Sequence, residues 1–168
     1  MVSSIKRWLK HLCTGEIARR RVFGPKVLKA IEQAIQDCEA LHPGEVRFAI
    51  SASLTPAQLL RKMTPRQLAQ DAFARLGVWD TEHNNGVLIF VLLADRDVEI
   101  LADRGVGNGK VPQAAWQHCC LVMQTHFSEG RFEQGAIEGI RSVSEVLAQY
   151  PPTRGDVGNE QANKPDLL

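Results

Sequence analysis

Side chains able to bind an ion or a polar ligand gather in two short stretches. The segment WDTEHNNG, residues 79–86, holds Asp80, Glu82, His83, Asn84 and Asn85, and DRGVGNG, residues 103–109, opens on Asp103. Carboxylate and amide oxygens are the ligands a hard cation takes, so Asp80, Glu82, Asn84, Asn85 and Asp103 form a candidate set for calcium or magnesium. Gly86, Gly105, Gly107 and Gly109 would let backbone approach a ligand closely. Gly-x-Gly-x-Gly could also present amides to a phosphate, although it lacks the full nucleotide fingerprint. The same residues are ordinary turn formers, and Asn85-Gly86 is explained by turn chemistry alone.

Other chemistry finds less support. No G-x-S-x-G, H-E-x-x-H or P-loop sequence occurs. Cys13, Cys38, Cys119 and Cys120 form no C-x-x-C pair and no zinc spacing. Cys119 follows His118 directly, but adjacent helical residues point in different directions, so small buried hydrophobes are the expected role. His118 and His126, eight apart, lack an evident acid partner.

The elements that must position these residues follow from periodicity. Pro25 can open a helix carrying Val27, Leu28, Ile31, Ala34, Ile35 and Cys38 on one face, ended by His42-Pro43-Gly44. Glu45–Ser51 alternates polar and apolar as a strand does. Residues 53–63 are ambiguous, with a short helix possible after Thr55-Pro56. Thr64-Pro65 supplies an N-cap and a first-turn proline for a helix reaching about Leu76. Gly86–Leu93 is a continuous apolar run, the pattern of a strand buried on both faces. Asp95 and Asp97 sit at a tight turn before a strand over Val98–Ala102, which makes an antiparallel hairpin. Helices over about 112–127 and 132–149 complete the core.

The first strand returns to the second through a helix, so those two should run parallel, while the third runs opposite. The expected fold class is α/β, a three-layer α/β/α sandwich around a small mixed sheet containing a parallel pair and an antiparallel hairpin. This arrangement brings the loop at 79–86, the turn at 103–107, His42 and Glu45 to one sheet edge. Asp95, Arg96 and Asp97 lie at the other.

Charge is unevenly spread. Residues 1–29 hold eight Lys and Arg against one acid, a net of +7, which leaves −6 for the rest given +1 overall. Ile5, Trp8, Leu9 and Leu12 recur at helical spacing with Lys6, Arg7 and Lys10 between them. Residues 1–23 therefore read as a basic arm with a short amphipathic helix at 5–12, suited either to packing Trp8 on the body or to touching an anionic membrane surface. Nucleic acid is not the favoured partner. The core domain spans 24–149, and residues 150–168, rich in Pro, Gly, Asn and Asp, read as a disordered tail. The N-terminus has charges inside its apolar pattern and no signal-peptide core, and no stretch is long enough to span a bilayer, so a cytoplasmic protein is expected.

Three motifs in fixed order, HNNGVLIFVLL, DRDVEILADRGVG and FSEGRFEQG, resemble those of the TPM domain family over about residues 24–148. That family includes thylakoid lumen proteins linked to photosystem repair and related bacterial proteins. The resemblance implies the same α/β/α architecture. Asn85-Gly86 matches the family's entry to its central strand. Gly105-Val106-Gly107 matches its Gly-aromatic-Gly turn, and Phe127, Gly130, Phe132 and Gly135 match its late aromatic–glycine motif. Some members bind divalent cations, and some plant members are described as acid phosphatases. Departures stand at Asn84, where an acid is common, at Val106, where an aromatic is common, and at Pro112 and Gln113, where an acid often follows. Many relatives carry a signal peptide and membrane anchor and occur with membrane-anchored partners. Two functions follow from this reading: an interaction or accessory module serving a membrane-associated protein, with calcium or magnesium at its polar edge, or a metal-dependent phosphatase acting on phosphomonoesters.

Overall fold

A computed structural model describes residues 2–107, 110–151 and 158–168. Gly109, the last glycine of the Gly-x-Gly-x-Gly stretch, lies outside the described residues. The chain runs α1 (Val2–Cys13), α2 (Glu16–Val22), α3 (Pro25–Glu39), β1 (Glu45–Ser51), α4 (Pro56–Leu60), α5 (Pro65–Arg75), β2 (Gly86–Leu92), β3 (Asp97–Ala102), α6 (Arg104–Gly107), α7 (Gln113–Ser128), α8 (Phe132–Gln149) and β4 (Asp166–Leu167). The fold is α/β, with a four-stranded sheet in the order β3-β2-β1-β4. β1 pairs parallel with β2, Glu45 opposite Gly86, and β2 pairs antiparallel with β3, Val87 opposite Ala102.

Strand alternation sorts the core. Val46, Phe48, Ile50, Val87, Ile89, Val91, Val98 and Ile100 join residues of α3, α7 and α8 in one apolar cluster. Ala49, Leu88, Phe90 and Leu92 join Leu59 of α4 and Leu68, Ala69 and Ala72 of α5 in another. Every residue of β2 is buried, as its unbroken apolar run requires. Thr55 and Thr64 each form a capping box, with Gln58 and Gln67 respectively, and proline follows each cap. The ambiguity at 53–63 thus resolves as a short helix.

The late motif joins α7 to α8. Gly130 turns with φ +80°. Phe127 and Phe132 stack at 5.1 Å, and Phe23 meets both edge-on. Gly139 lets α8 approach so closely that a Cβ would stand 2.1 Å from Met123 Cγ.

Two boundaries differ from the sequence expectation. The basic arm, set apart from the 24–149 core in the sequence reading, is two helices, and α1 is tied to the body as one of its two expected roles requires. Trp8 packs against the second cluster. His11 is buried, and its Nδ1 accepts the Leu54 amide hydrogen at 2.9 Å. Arg7 donates to Asp95 through Nε and Nη2 at 3.2 and 2.9 Å, and His11 Nε2 lies 3.2 Å from the same carboxylate. Asp95 is therefore the anchor of α1 as well as a hairpin residue.

The second difference is at the C-terminus. The described part of the tail, residues 158–168, is not disordered: Asp166 and Leu167 pair parallel with Ala49 and Ile50 as β4. Composition hides this because the segment has no apolar alternation. What holds it is polar. Arg47 grips Asp166 with Nε–Oδ2 at 2.7 Å and Nη2–Oδ1 at 3.2 Å, and its Nη1 donates to Gln161 Oε1 at 3.1 Å. The pairing also covers an otherwise open edge of β1.

Breaking this clamp should be visible in stability. Arg47→Ala or Asp166→Asn is expected to cost about 1.5–3 kcal/mol in urea unfolding, since each removes charge-assisted hydrogen bonds that are largely shielded from water. Hydrogen exchange of the β1 amides should accelerate; unchanged exchange would show that β4 does not protect that edge.

Candidate functional site

The parallel β1–β2 pair and the antiparallel β2–β3 pair place three chain segments at one sheet edge. Glu45 begins β1, Gly86 begins β2, and Asp103 follows the last residue of β3. The Glu45 amide donates to Asn85 O at 3.1 Å, and the Asp103 amide donates to Gly86 O at 2.8 Å. The convergence expected from topology is therefore realised.

Two glycines make the contact possible. At Gly86 a Cβ would stand 2.0 Å from Val78 O, and at Gly105 it would stand 2.4 Å from both Asn84 O and His83 O. The Gly105 amide donates to Asn84 O at 2.8 Å, so the loop and the turn touch through backbone. Val106 points inward and is buried in the larger cluster, which explains why this position needs an apolar side chain.

The candidate residues divide into an inner and an outer group. Asn85 is buried; its Nδ2 donates to Pro43 O, and its amide donates to Thr81 Oγ1 at 3.1 Å. Asn85 Oδ1 is buried without a hydrogen-bond partner among the described residues, and so is Asp103 Oδ2. Asp103 Oδ1 accepts the Arg104 amide hydrogen at 2.7 Å. Asn84 has φ 53°, a conformation Asn tolerates better than most residues. Its Oδ1 accepts Arg104 Nε at 2.7 Å. Asp80 and Glu82 are exposed on the outer loop.

Among the described residues, no three of His, Cys, Asp and Glu are grouped so as to hold a metal ion. The five candidates thus share an edge without forming a closed cage. Arg104 places a cation on Asn84, so Asn84 is the least available of the five.

Sequence reading missed two contributors. The carboxylate of Glu160 accepts the Glu82 amide hydrogen at 2.9 Å, and Gln161 Nε2 donates to Gly77 O at 3.1 Å. A tail read as disordered could not be placed on the loop. His42, Pro43, Gly44 and Glu45 also line a cavity of about 260 Å³ with Glu39, Asn159 and Asn163. Here His42 Nδ1 accepts the Gly44 amide hydrogen at 3.2 Å, while Nε2 is buried without a partner among the described residues. Burial pushes the His42 pKa below its ordinary value.

Elsewhere, three of the four thiols are shielded. Burial raises the pKa of Cys38 and Cys119, and pushes Cys120 up to about 12. Cys119 Sγ lies 3.2 Å from Ser142 Oγ. His126 does have an acid partner, Glu138, with Nε2 2.7 Å from Oε2. Arg131 Nε donates to His126 Nδ1 at 3.1 Å, which leaves the proton on Nε2 facing Glu138. This pair sits beside a cleft of about 750 Å³ at α2, α3 and α8, away from the polar edge. Residues 126 and 138 lie on α7 and α8, so the pair could be foreseen only if those two helices were known to pack together.

A mixed sheet with a buried central strand, an Asn-Gly entry to it and a glycine turn against that entry defines the class. The TPM domain family model matches residues 18–146, and the chain belongs to that family. Among solved structures, it is similar to the NMR structure of BA42 protein from the psychrophilic bacterium Bizionia argentinensis. The identity is 29%, the match covers 85% of this chain and 93% of that one, and the TM-score is 0.73. No curated protein matches at a significant level.

The close approach at the site gives a direct test. Gly105→Ala is expected to cost about 1–3 kcal/mol, because a Cβ cannot be accommodated without separating the two segments. Amide NMR shifts should move at residues 81–86; a spectrum changed only next to position 105 would mean that the contact gives way cheaply. The His42 shift has a sign. A folded-state pKa below the unfolded value means that the unfolded chain binds the extra proton. This contribution to stability is full well above the ordinary histidine value of 6.5 and declines as pH falls through and below it. Unfolding free energy should therefore drop between about pH 7 and pH 5, with a shallower slope in His42→Gln.

Proposed function

We propose that this chain is an accessory interaction module of a membrane-associated assembly, recognising its partner through the edge formed by residues 79–86 and 103–107, with a divalent cation bound there. The observation that carries this reading is the two buried oxygens without partners among the described residues, Asn85 Oδ1 and Asp103 Oδ2, on an edge whose outer loop also carries the exposed Asp80 and Glu82. Buried polar atoms are seldom left unpaired, and two oxygens of this kind beside carboxylates suit calcium or magnesium. Asn85 and Asp103 would hold the ion directly. Asp80 and Glu82 would add negative charge and reach it directly or through water. An ion here would also stiffen the contact between loop and turn, making the edge a better recognition surface. Arg104, already on Asn84, would limit affinity by placing like charge beside the ion.

No observation singles out the hydrolytic alternative, and burial raises the pKa of the Cys119 and Cys120 thiols. A phosphatase would have to draw its nucleophile from metal-bound water.

Titration with calcium and with magnesium, followed by amide NMR, tests the proposal. Shifts are expected at residues 80–86 and 103–107. Asp103→Asn should weaken binding roughly tenfold while leaving the fold intact, because it removes one charge from the ion's surroundings. Shifts scattered over the acidic body, with none at this edge, would defeat the cation reading. Turnover of a phosphomonoester in the presence of either ion, abolished by Asp103→Asn, would move the assignment to the phosphatase.

A further inference from the structure

Helix α1 shows two different faces. Arg7, Trp8 and His11 are turned to the body, where they meet Asp95, Leu54 and the smaller apolar cluster. Ile5, Leu9 and Leu12, at i, i+4 and i+7, form a stripe that remains 61%, 57% and 62% exposed. Simple packing of an amphipathic helix would bury the whole apolar set. Here only Trp8 goes inward, and three large aliphatic side chains stay in water on a helix already held in place.

The charge around the stripe identifies its occupant. Lys6 is exposed beside it, and Lys10 keeps 47% of its side chain exposed even though its Nζ lies 3.9 Å from Asp95. The exposed Arg20 and Arg21 of α2 follow within the same stretch, whose net charge is +7. Aliphatic side chains flanked by basic residues on a surface helix suit the boundary between acyl chains and anionic headgroups. We propose that α1 is a peripheral membrane-docking helix that inserts Ile5, Leu9 and Leu12 among the lipids of an anionic bilayer, with Lys6 on the headgroups. No helix among the described residues is long and apolar enough to cross a membrane. The contact is therefore superficial and reversible.

This proposal is independent of the cation. Asp95, which anchors α1, follows β2, whereas Asn85 precedes it, so the docking helix and the polar edge are held at opposite ends of one strand.

Sedimentation of the full chain with phosphatidylglycerol–phosphatidylcholine vesicles in EDTA tests it without involving any divalent ion. The protein should pellet with these vesicles, remain in solution with pure phosphatidylcholine, and be released by salt. The triple variant Ile5→Gln, Leu9→Gln, Leu12→Gln should lose at least roughly a hundredfold in partitioning, because it replaces three aliphatic side chains. Lys6→Glu should lose roughly fivefold or more. Circular dichroism and thermal unfolding of these surface variants should match the parent. The proposal is overturned if the parent ignores anionic vesicles, if the triple variant binds as well as the parent, or if both lipid compositions bind equally. A dimer seen by sedimentation velocity, abolished by the triple variant and unaccompanied by vesicle binding, would assign the stripe to a second copy of the chain instead.

Discussion

β2 has neither an open edge nor a face exposed to water. Seven consecutive residues, Gly86–Leu92, are buried, with β1 on one side and β3 on the other. A strand of this kind can exist only if its backbone groups are paired on both edges and both apolar faces are covered. The rest of the chain meets these demands. β1 and β3 supply the pairing. One face receives α3, α7 and α8, and the other receives α4, α5 and Trp8. The crowding is greatest where β2 begins, since Gly86 has room for nothing beyond hydrogen against Val78 O.

The polar edge follows from this constraint. Where the chain passes from solvent into a strand with no exposed surface, the last polar side chain before the core is partly trapped. Asn85 occupies that position. Its amide nitrogen finds Pro43 O, while its oxygen finds nothing among the described residues. On the neighbouring segment, Asp103 is in the same situation, with one oxygen on the Arg104 amide and the other buried and unpaired. Backbone pairing with β1 and β3 on either side of Gly86 fixes where both segments lie. The contact between loop and turn is thus fixed by the fold itself.

Legibility in the sequence tracked the range of the forces involved. The β2 run, the Thr64-Pro65 start of α5 and the edge shared by residues 79–86 and 103–107 could all be read, because apolar periodicity, capping and short connections are local. Features held by long-range polar contacts could not. β4 depends on Arg47 gripping Asp166, more than a hundred positions away, and nothing in the sequence of the tail announces that partner. Asp95 looked like an ordinary turn residue until α1 was found against it. Glu160 reaches the Glu82 amide only because β4 brings the tail back. His126 seemed to lack an acid because Glu138 lies on the next helix. Asn84 could be recognised as a substitution for a commoner acid. The reason to tolerate it, a backbone at φ 53° and an Arg104 guanidinium on its oxygen, is visible only in three dimensions.

The two ends of β2 are unequal in a way that bears on function. At its start, unpaired oxygens and exposed carboxylates give the edge a deficit of positive charge that Arg104 only partly offsets. At its far end, Asp95 faces Arg7 and Lys10 from α1, so its negative charge is neutralised internally. Helix α1 of the basic arm is therefore held at the end of β2 away from the polar edge. Opposite surface charges are kept apart by the length of a rigid strand, about 23 Å for seven residues. At physiological ionic strength this separation exceeds the screening length of about 8 Å. If the proposed cation site and the proposed docking helix both hold, their binding should therefore be independent of each other.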